Sequence, residues 1–331
     1  MKPSESIRPN IDSTRIVGSS FITSLPDQMA ARADNGSDNG LLLKKFRVSL
    51  LIGAGLFSSG LFHLILLWFT GADWSGPLSL RKPGLFGISA GLTVWSIVWV
   101  LAQLVPRRTD QNFASFMSGG LLVEVGLITM QQWRGVPSHF NRATTFDALV
   151  ESIMLGLIFL VTAGIAALCW RSRMLRPMTE SRAIAIRSGL WFLLASCGLG
   201  LLATIAGELN LATGHLPEIW GRAGILKYPH GAALHAIQIL PLLSAFLERY
   251  RVVYSASILR AAVVAQLLFL AHAVSQTVSG RARTDVDLTS IAALAAAGLV
   301  LLLLPTMRPK KGAVMIFLRS NLNPSRAIHD N

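Results

Sequence analysis

VSLLIGAGLFSSGLFHLILLWFT, residues 48–70, carries no Asp, Glu, Lys or Arg, and His63 is its one titratable side chain. A helix of about 20 residues crosses the hydrocarbon layer of a bilayer. In that layer each backbone amide must be satisfied inside its own segment, so the stretch predicts a helix and excludes irregular chain. Seven further apolar runs follow, near 84–106, 113–132, 148–170, 188–207, 230–248, 257–279 and 288–306. The third is interrupted by Glu124 and ends in Gln131 and Gln132. Hydrophobic residues make up 52% of the chain and charged residues 14%, against about 25% charged in ordinary soluble domains. The expected fold class is therefore all-α: a polytopic membrane bundle of about eight transmembrane helices.

The flanks complete the division. Residues 1–43 are polar, lack the apolar core of a signal peptide, and read as a flexible cytoplasmic tail. Residues 44–307 form the helical domain, and 308–331 a basic cytoplasmic tail. Cys169 and Cys197 are the two cysteines, and neither lies in a CxxC pattern. Small residues at Gly87, Gly91, Gly198, Gly200 and in the alanine-rich run 292–297 mark faces where helices can approach closely.

Charge sets the expected direction. The two tails and the connections after the second, fourth and sixth spans, with their flanks, hold 22 of the 30 Lys and Arg. Basic residues resist transfer across a membrane, so this side is expected to be cytoplasmic, with N-in/C-in topology in the inner membrane. The net charge of +13 is distributed over juxtamembrane positions such as Arg171, Arg173, Arg176, Arg182 and Arg187. That distribution suits contact with the bilayer and with anionic lipid on the cytoplasmic side. No nucleic-acid-binding motif accompanies it, so nucleic acid is excluded as a partner. A helical bundle without a soluble domain also leaves room for partner membrane subunits. Trp68, Trp74, Trp133 and Trp220 near one boundary, and Trp170 and Trp191 near the other, agree with interfacial placement.

Polar residues concentrate opposite the basic side. Six of the seven histidines lie there, the exception being His329 in the C-terminal tail. Intramembrane ionisable groups are costly unless they pair or meet water, so they are expected to cluster. The reading is an outward-facing polar cavity with His63, His235 and His272 at similar depth on three spans. Glu124, Gln131, His139, Asn141, Asp147, His230, Gln238 and Gln276 are its secondary members. Pro241 frees the carbonyl of Ile237 next to Gln238, which predicts a kink at that depth.

Neutral imidazole is the commonest transition-metal ligand and holds haem from facing helices. His63, His235 and His272 are therefore candidate ligands for one haem b or one transition-metal ion used in redox work. A second reading is a small-molecule or proton-coupled transporter or sensor, with Arg134, Arg222 and Lys227 attracting an anionic ligand and Glu124 carrying a proton. A third is an intramembrane metal-dependent hydrolase. Ser59 and His63 form S-x-x-x-H, which resembles a fragment of the ceramidase and adiponectin-receptor type zinc hydrolases. The late H-x-x-x-H pair of those proteins is missing, because His230 and His235 are five apart.

Two segments carry a further resemblance. RGVPSHFNRATTFD (134–147) and KYPHGAALHAIQILP (227–241) are similar to a group of bacterial multi-pass membrane proteins with S-H-F-N-x-x-T-x-x-D and P-H-x-x-x-L-H-A-x-Q at corresponding places. Ser138, His139, Phe140, Asn141, Thr144 and Asp147 match the first pattern. Pro229, His230, Leu234, His235, Ala236 and Gln238 match the second. The resemblance implies a bacterial membrane protein whose outer face is its working surface, and implies no particular activity.

Overall fold

The structure is a computed structural model that describes residues 44–298, except 75, 77, 253, 286, 289, 290, 293, 294, 296 and 297. The chain divides into Met1–Lys45 and Phe46–Asn331, and the fold is that of the second unit. Its elements are α1 (Arg47–Thr70), α2 (Arg81–Gln103), α3 (Asp110–Trp133), α4 (Thr145–Arg171), α5 (Glu180–Ala212), β1 (Ile219–Trp220), β2 (Gly224–Ile225), α6 (Lys227–Leu234), α7 (Ala236–Arg249) and α8 (Ser255–Val278). Counting α6 and α7 together, seven helical segments among the described residues are long and apolar enough to cross a membrane. The eighth expected span, 288–306, lies for the most part outside the described residues.

Apolar side chains cover the outside of this bundle as well as its interior. Leu51, Phe62, Trp68, Phe69, Phe159, Leu202 and Leu242 are all exposed. A water-soluble helix would bury its apolar stripe and present charge outward. These helices are apolar all round, as chains surrounded by lipid are. Trp68, Trp74, Trp133, Trp170, Trp191 and Trp220 are also exposed, which fits interfacial rings.

Helix packing runs α2–α3–α4–α5 and returns from α7 to α2, so five helices close a ring. α1 packs on α2 and α3, and α8 packs on α5, α6 and α7. The α1–α2 contact is the most intimate, and glycine is the reason. A Cβ added to Gly60 would fall 2.5 Å from the Ile88 nitrogen, and one added to Gly91 would fall 2.6 Å from the Gly53 carbonyl oxygen. Without side chains there the two backbones meet directly, as sequence reading expected for Gly87 and Gly91. Gly200 serves a different neighbour, the ring of His230, while Gly198 faces open space.

Helix boundaries differ from expectation in two informative places. Thr144 and Thr179 cap α4 and α5, accepting hydrogen bonds from the Asp147 and Arg182 amides at 3.1 and 3.3 Å. α5 spans 33 residues, about 50 Å at 1.5 Å per residue, well beyond a hydrocarbon layer of about 30 Å. Its last turns run past residue 207, where the expected span ended. After it, the β1–β2 ribbon pairs Ile219 with Ile225 and Trp220 with Gly224. The Ala223 amide donates to the Gly280 carbonyl, fastening the ribbon to the end of α8.

The expected span 230–248 is not one continuous helix. It breaks at His235 between α6 and α7. The irregularity lies two residues before Ile237, whose carbonyl Pro241 leaves without an amide partner. The chain tightens there through a bond from the Gln238 amide back to the His235 carbonyl, at 3.1 Å.

Candidate functional site

The three principal candidates, His63, His235 and His272, have separate surroundings. His63 is buried on α1, with both ring nitrogens engaged. Its Nδ1 donates to the Ser59 backbone carbonyl at 2.7 Å, and its Nε2 accepts from the Trp133 indole at 3.1 Å. Those two bonds define one neutral tautomer and leave no lone pair for a metal. The partner within the S-x-x-x-H fragment is thus the Ser59 carbonyl and not its hydroxyl. His235 is exposed at the break between α6 and α7. His272 is buried on α8 with its ring edge-on to Tyr228. Among the described residues no group of three or more His, Cys, Asp or Glu side chains is placed to hold a metal ion. The single three-histidine centre read from the sequence is not assembled here.

Several secondary candidates hold the fold together. Asp147 accepts from Gln131 at 3.0 Å, from Arg134 at 2.7 Å and from the Thr144 hydroxyl at 2.7 Å. Gln131 also bonds Arg134 through its carbonyl oxygen. Asn141 staples its own loop, donating to the Pro137 carbonyl and accepting from the Ala143 amide. The Phe140 ring fills the space left by Gly207, and the Phe140 amide donates to Glu151. Most of the S-H-F-N-x-x-T-x-x-D segment is therefore a self-bonded corner between α3, α4 and α5. His230 clamps α6 to α5, its Nδ1 lying 2.8 Å from the Ser196 carbonyl while the Ser196 hydroxyl donates to the His230 carbonyl. Gln276 donates to the Asp285 carbonyl and ties down the connection after α8. His215 is exposed, beside the Thr213 hydroxyl.

Three candidates keep unused atoms: His139, Glu124 and Gln238. His139 projects from the α3–α4 connection with Nδ1 3.0 Å from the Ser138 hydroxyl. Its ring lies against Phe86 of α2, centroids 6.1 Å apart. One turn earlier on α2, Lys82 sits within electrostatic reach of Lys227, Glu218 and Arg81, and both lysines act on His139. Lys227 pairs with Glu218 at 2.5 Å. Lys82 has no ion pair among the described residues, and the buried Arg81 Nε has no hydrogen-bond partner. Arg81 instead stacks over Trp74, 5.9 Å from the ring centroid.

Four segments of the chain thus converge at the histidine-bearing end: the start of α2, the α3–α4 connection, the α5–α6 connection and the start of α6. The cluster holds Arg81, Lys82 and Lys227 against Glu218, a local excess of positive charge. Burial first, then Lys82 and Lys227, push the His139 imidazole well below its ordinary value, so it is neutral at pH 7. Burial pushes the Glu218 carboxyl up, but Lys227, Lys82 and Arg81 outweigh it and hold the group below its ordinary value. Neutral His139 has a spare ring nitrogen. When the Ser138 hydroxyl donates to Nδ1, Nε2 carries the hydrogen and presents a donor beside the lysines.

Sequence reading singled out His139 and Lys227 but not Arg81 and Lys82. A signal was available, since Lys82 and Phe86 are four apart and share a helix face. What that face meets depends on the return of α7 to α2, which no local pattern reveals. No family model, curated protein or solved structure matches this chain.

Proposed function

We propose that this chain is a multi-pass inner-membrane protein that binds a small organic anion at its histidine-bearing end, as a transporter or a sensor. The basic connections at the opposite end support a cytoplasmic location for that end, which leaves the binding cluster facing outward. One observation carries the reading: Lys82 and Arg81 converge with the Lys227–Glu218 pair and His139, without enough carboxylate among the described residues to balance them. A partly buried cationic excess is costly unless a counter-charge joins it. A carboxylate or phosphate would supply that charge and accept from the two amines and the imidazole. Phe86 adds an apolar wall, which favours an anion with a hydrocarbon portion. The engaged nitrogens of His63 and the exposed position of His235 weigh against the haem or metal reading.

The test is calorimetric titration of the purified full-length protein with benzoate and with phenyl phosphate, at low and high salt. Saturable binding that weakens with salt and falls at least about tenfold in Lys82→Met is expected, matching loss of one charged hydrogen bond. Absence of binding by the unmodified chain, or equal binding by Lys82→Met, overturns the reading.

A further inference from the structure

The interior of the ring contains a second feature that the anion cluster does not use. Glu124 stands on α3, nine residues before Trp133 at the helix end, a depth of roughly 14 Å at 1.5 Å per residue. It is 8% exposed, and its Oε2 has no hydrogen-bond partner among the described residues. Its charge is felt by Cys197 on α5, whose thiol in turn bonds Thr162 on α4. Glu124 on α3 and Cys197 on α5 thus lie within electrostatic reach of each other. On α7, both amide atoms of Gln238 are likewise enclosed and unpartnered among the described residues.

Among the described residues no basic side chain is bonded to Glu124. Of the titratable groups on helices packed against α3, His63 on α1 is held by Ser59 and Trp133. Arg81 and Lys82 lie at the outer end of α2. On α4, Asp147 is held by Arg134 and Glu151 by Arg142 at one end, and Arg171 by Asp110 at the other. Cys169, also on α4, donates to the Leu190 carbonyl.

An ionised carboxylate in such a place would leave buried Oε2 without a hydrogen-bond partner among the described residues, which is costly. A bound metal cation would need several ligands, and the described residues offer no such group. A proton needs only the one oxygen that is free.

We infer that Glu124 is a reversible proton-binding site, and that anion binding at the Lys82–His139 cluster is accompanied by proton uptake at this carboxyl. The linkage rests on the anion-binding reading above. While the cluster is empty, its cationic excess favours ionised Glu124 at long range. A bound anion cancels that field and leaves the carboxylate isolated, so a proton from the solvent joins it. By thermodynamic reciprocity, lowering the pH strengthens anion binding through this site.

The test uses the full chain in lipid nanodiscs, with Glu124→Gln, Glu124→Asp and His139→Gln variants. Infrared difference spectra between pH 5 and pH 9 are expected to show a protonated-carboxyl band that disappears in Glu124→Gln. Titration with benzoate in weak buffer is expected to show proton uptake by the unmodified chain, by Glu124→Asp and by any His139→Gln protein that binds. Glu124→Gln is expected to bind benzoate with at least threefold less uptake. An unchanged carboxyl band in Glu124→Gln overturns the proton site. Uptake retained in Glu124→Gln but lost in His139→Gln overturns the linkage and moves the proton to the imidazole. Absence of benzoate binding by the unmodified chain overturns the anion reading and the linkage together, while the infrared result still decides whether Glu124 holds a proton.

Discussion

The two ends of the bundle use the same residue types in opposite ways. At the arginine-rich end, several cations close connections. Arg171 pairs with buried Asp110 at 2.7 Å, Arg176 donates to the Leu104 carbonyl at 3.2 Å, and Arg187 donates to the Ser172 carbonyl at 3.1 Å. Glu248 gathers Thr179, Ser181 and Arg182. At the histidine-bearing end, Arg134 and Arg142 do similar structural work through Asp147, Glu151 and Glu208. Lys82 and Arg81 do not. Paired cations build the fold, and Lys82 and Arg81 are the basis of the anion-binding proposal.

The sharpest way to break that comparison is to remove one charge from each end. Asp110→Ala leaves Arg171 and a buried connection without a counter-charge, and should cost about 3–5 kcal/mol of stability. Thermal unfolding in detergent would show it as the largest loss among these variants. Lys82→Met at the other end should change stability by less than about 1 kcal/mol, because no ion pair is lost. It should instead weaken anion binding at least about tenfold. If Lys82→Met unfolds the protein as readily as Asp110→Ala, the distinction between structural and unpartnered cations fails.

A smaller effect sharpens the reading of the α3–α4 corner. Thr144→Ala removes the α4 cap and one ligand of Asp147, and should destabilise by about 1 kcal/mol. Benzoate affinity should not change, since the corner serves as support. The smallest effect is in pH dependence. Folding lowers the proton affinity of His139, so the unfolded chain binds more protons below its ordinary value of 6.5. Stability should therefore decline as pH falls through and below that value, and His139→Gln should flatten the decline. An unaltered profile in His139→Gln would show that burial and the neighbouring lysines do not hold the imidazole neutral.

Much of the architecture was legible in the residues. Span positions, the glycines at 87 and 91, and the segregation of basic charge follow from transfer energies and from the size of a side chain. Each can be judged from a short stretch of chain. Even the prolines that bracket the α6–α7 break were visible, although not the residue where the helix gives way. The site was less legible. His63, His235 and His272 share a depth, and depth is a coordinate that a helix register supplies. Convergence also needs the azimuth of each helix and the order of helices around the ring, and neither is periodic in sequence.

The sequence by itself determined that this is an all-helical chain with long apolar segments and two chemically unlike ends, because lipid-compatible helices announce themselves residue by residue. Tertiary structure decided which polar atoms are already used. Asp147, Asn141 and His230 turned out to hold the fold, while Lys82, His139 and Glu124 retained unused bonding capacity. The physical reason is that hydrogen bonds saturate. Whether a donor or acceptor is free depends on which neighbour the packing brings within about 3 Å, and only the folded chain sets those distances.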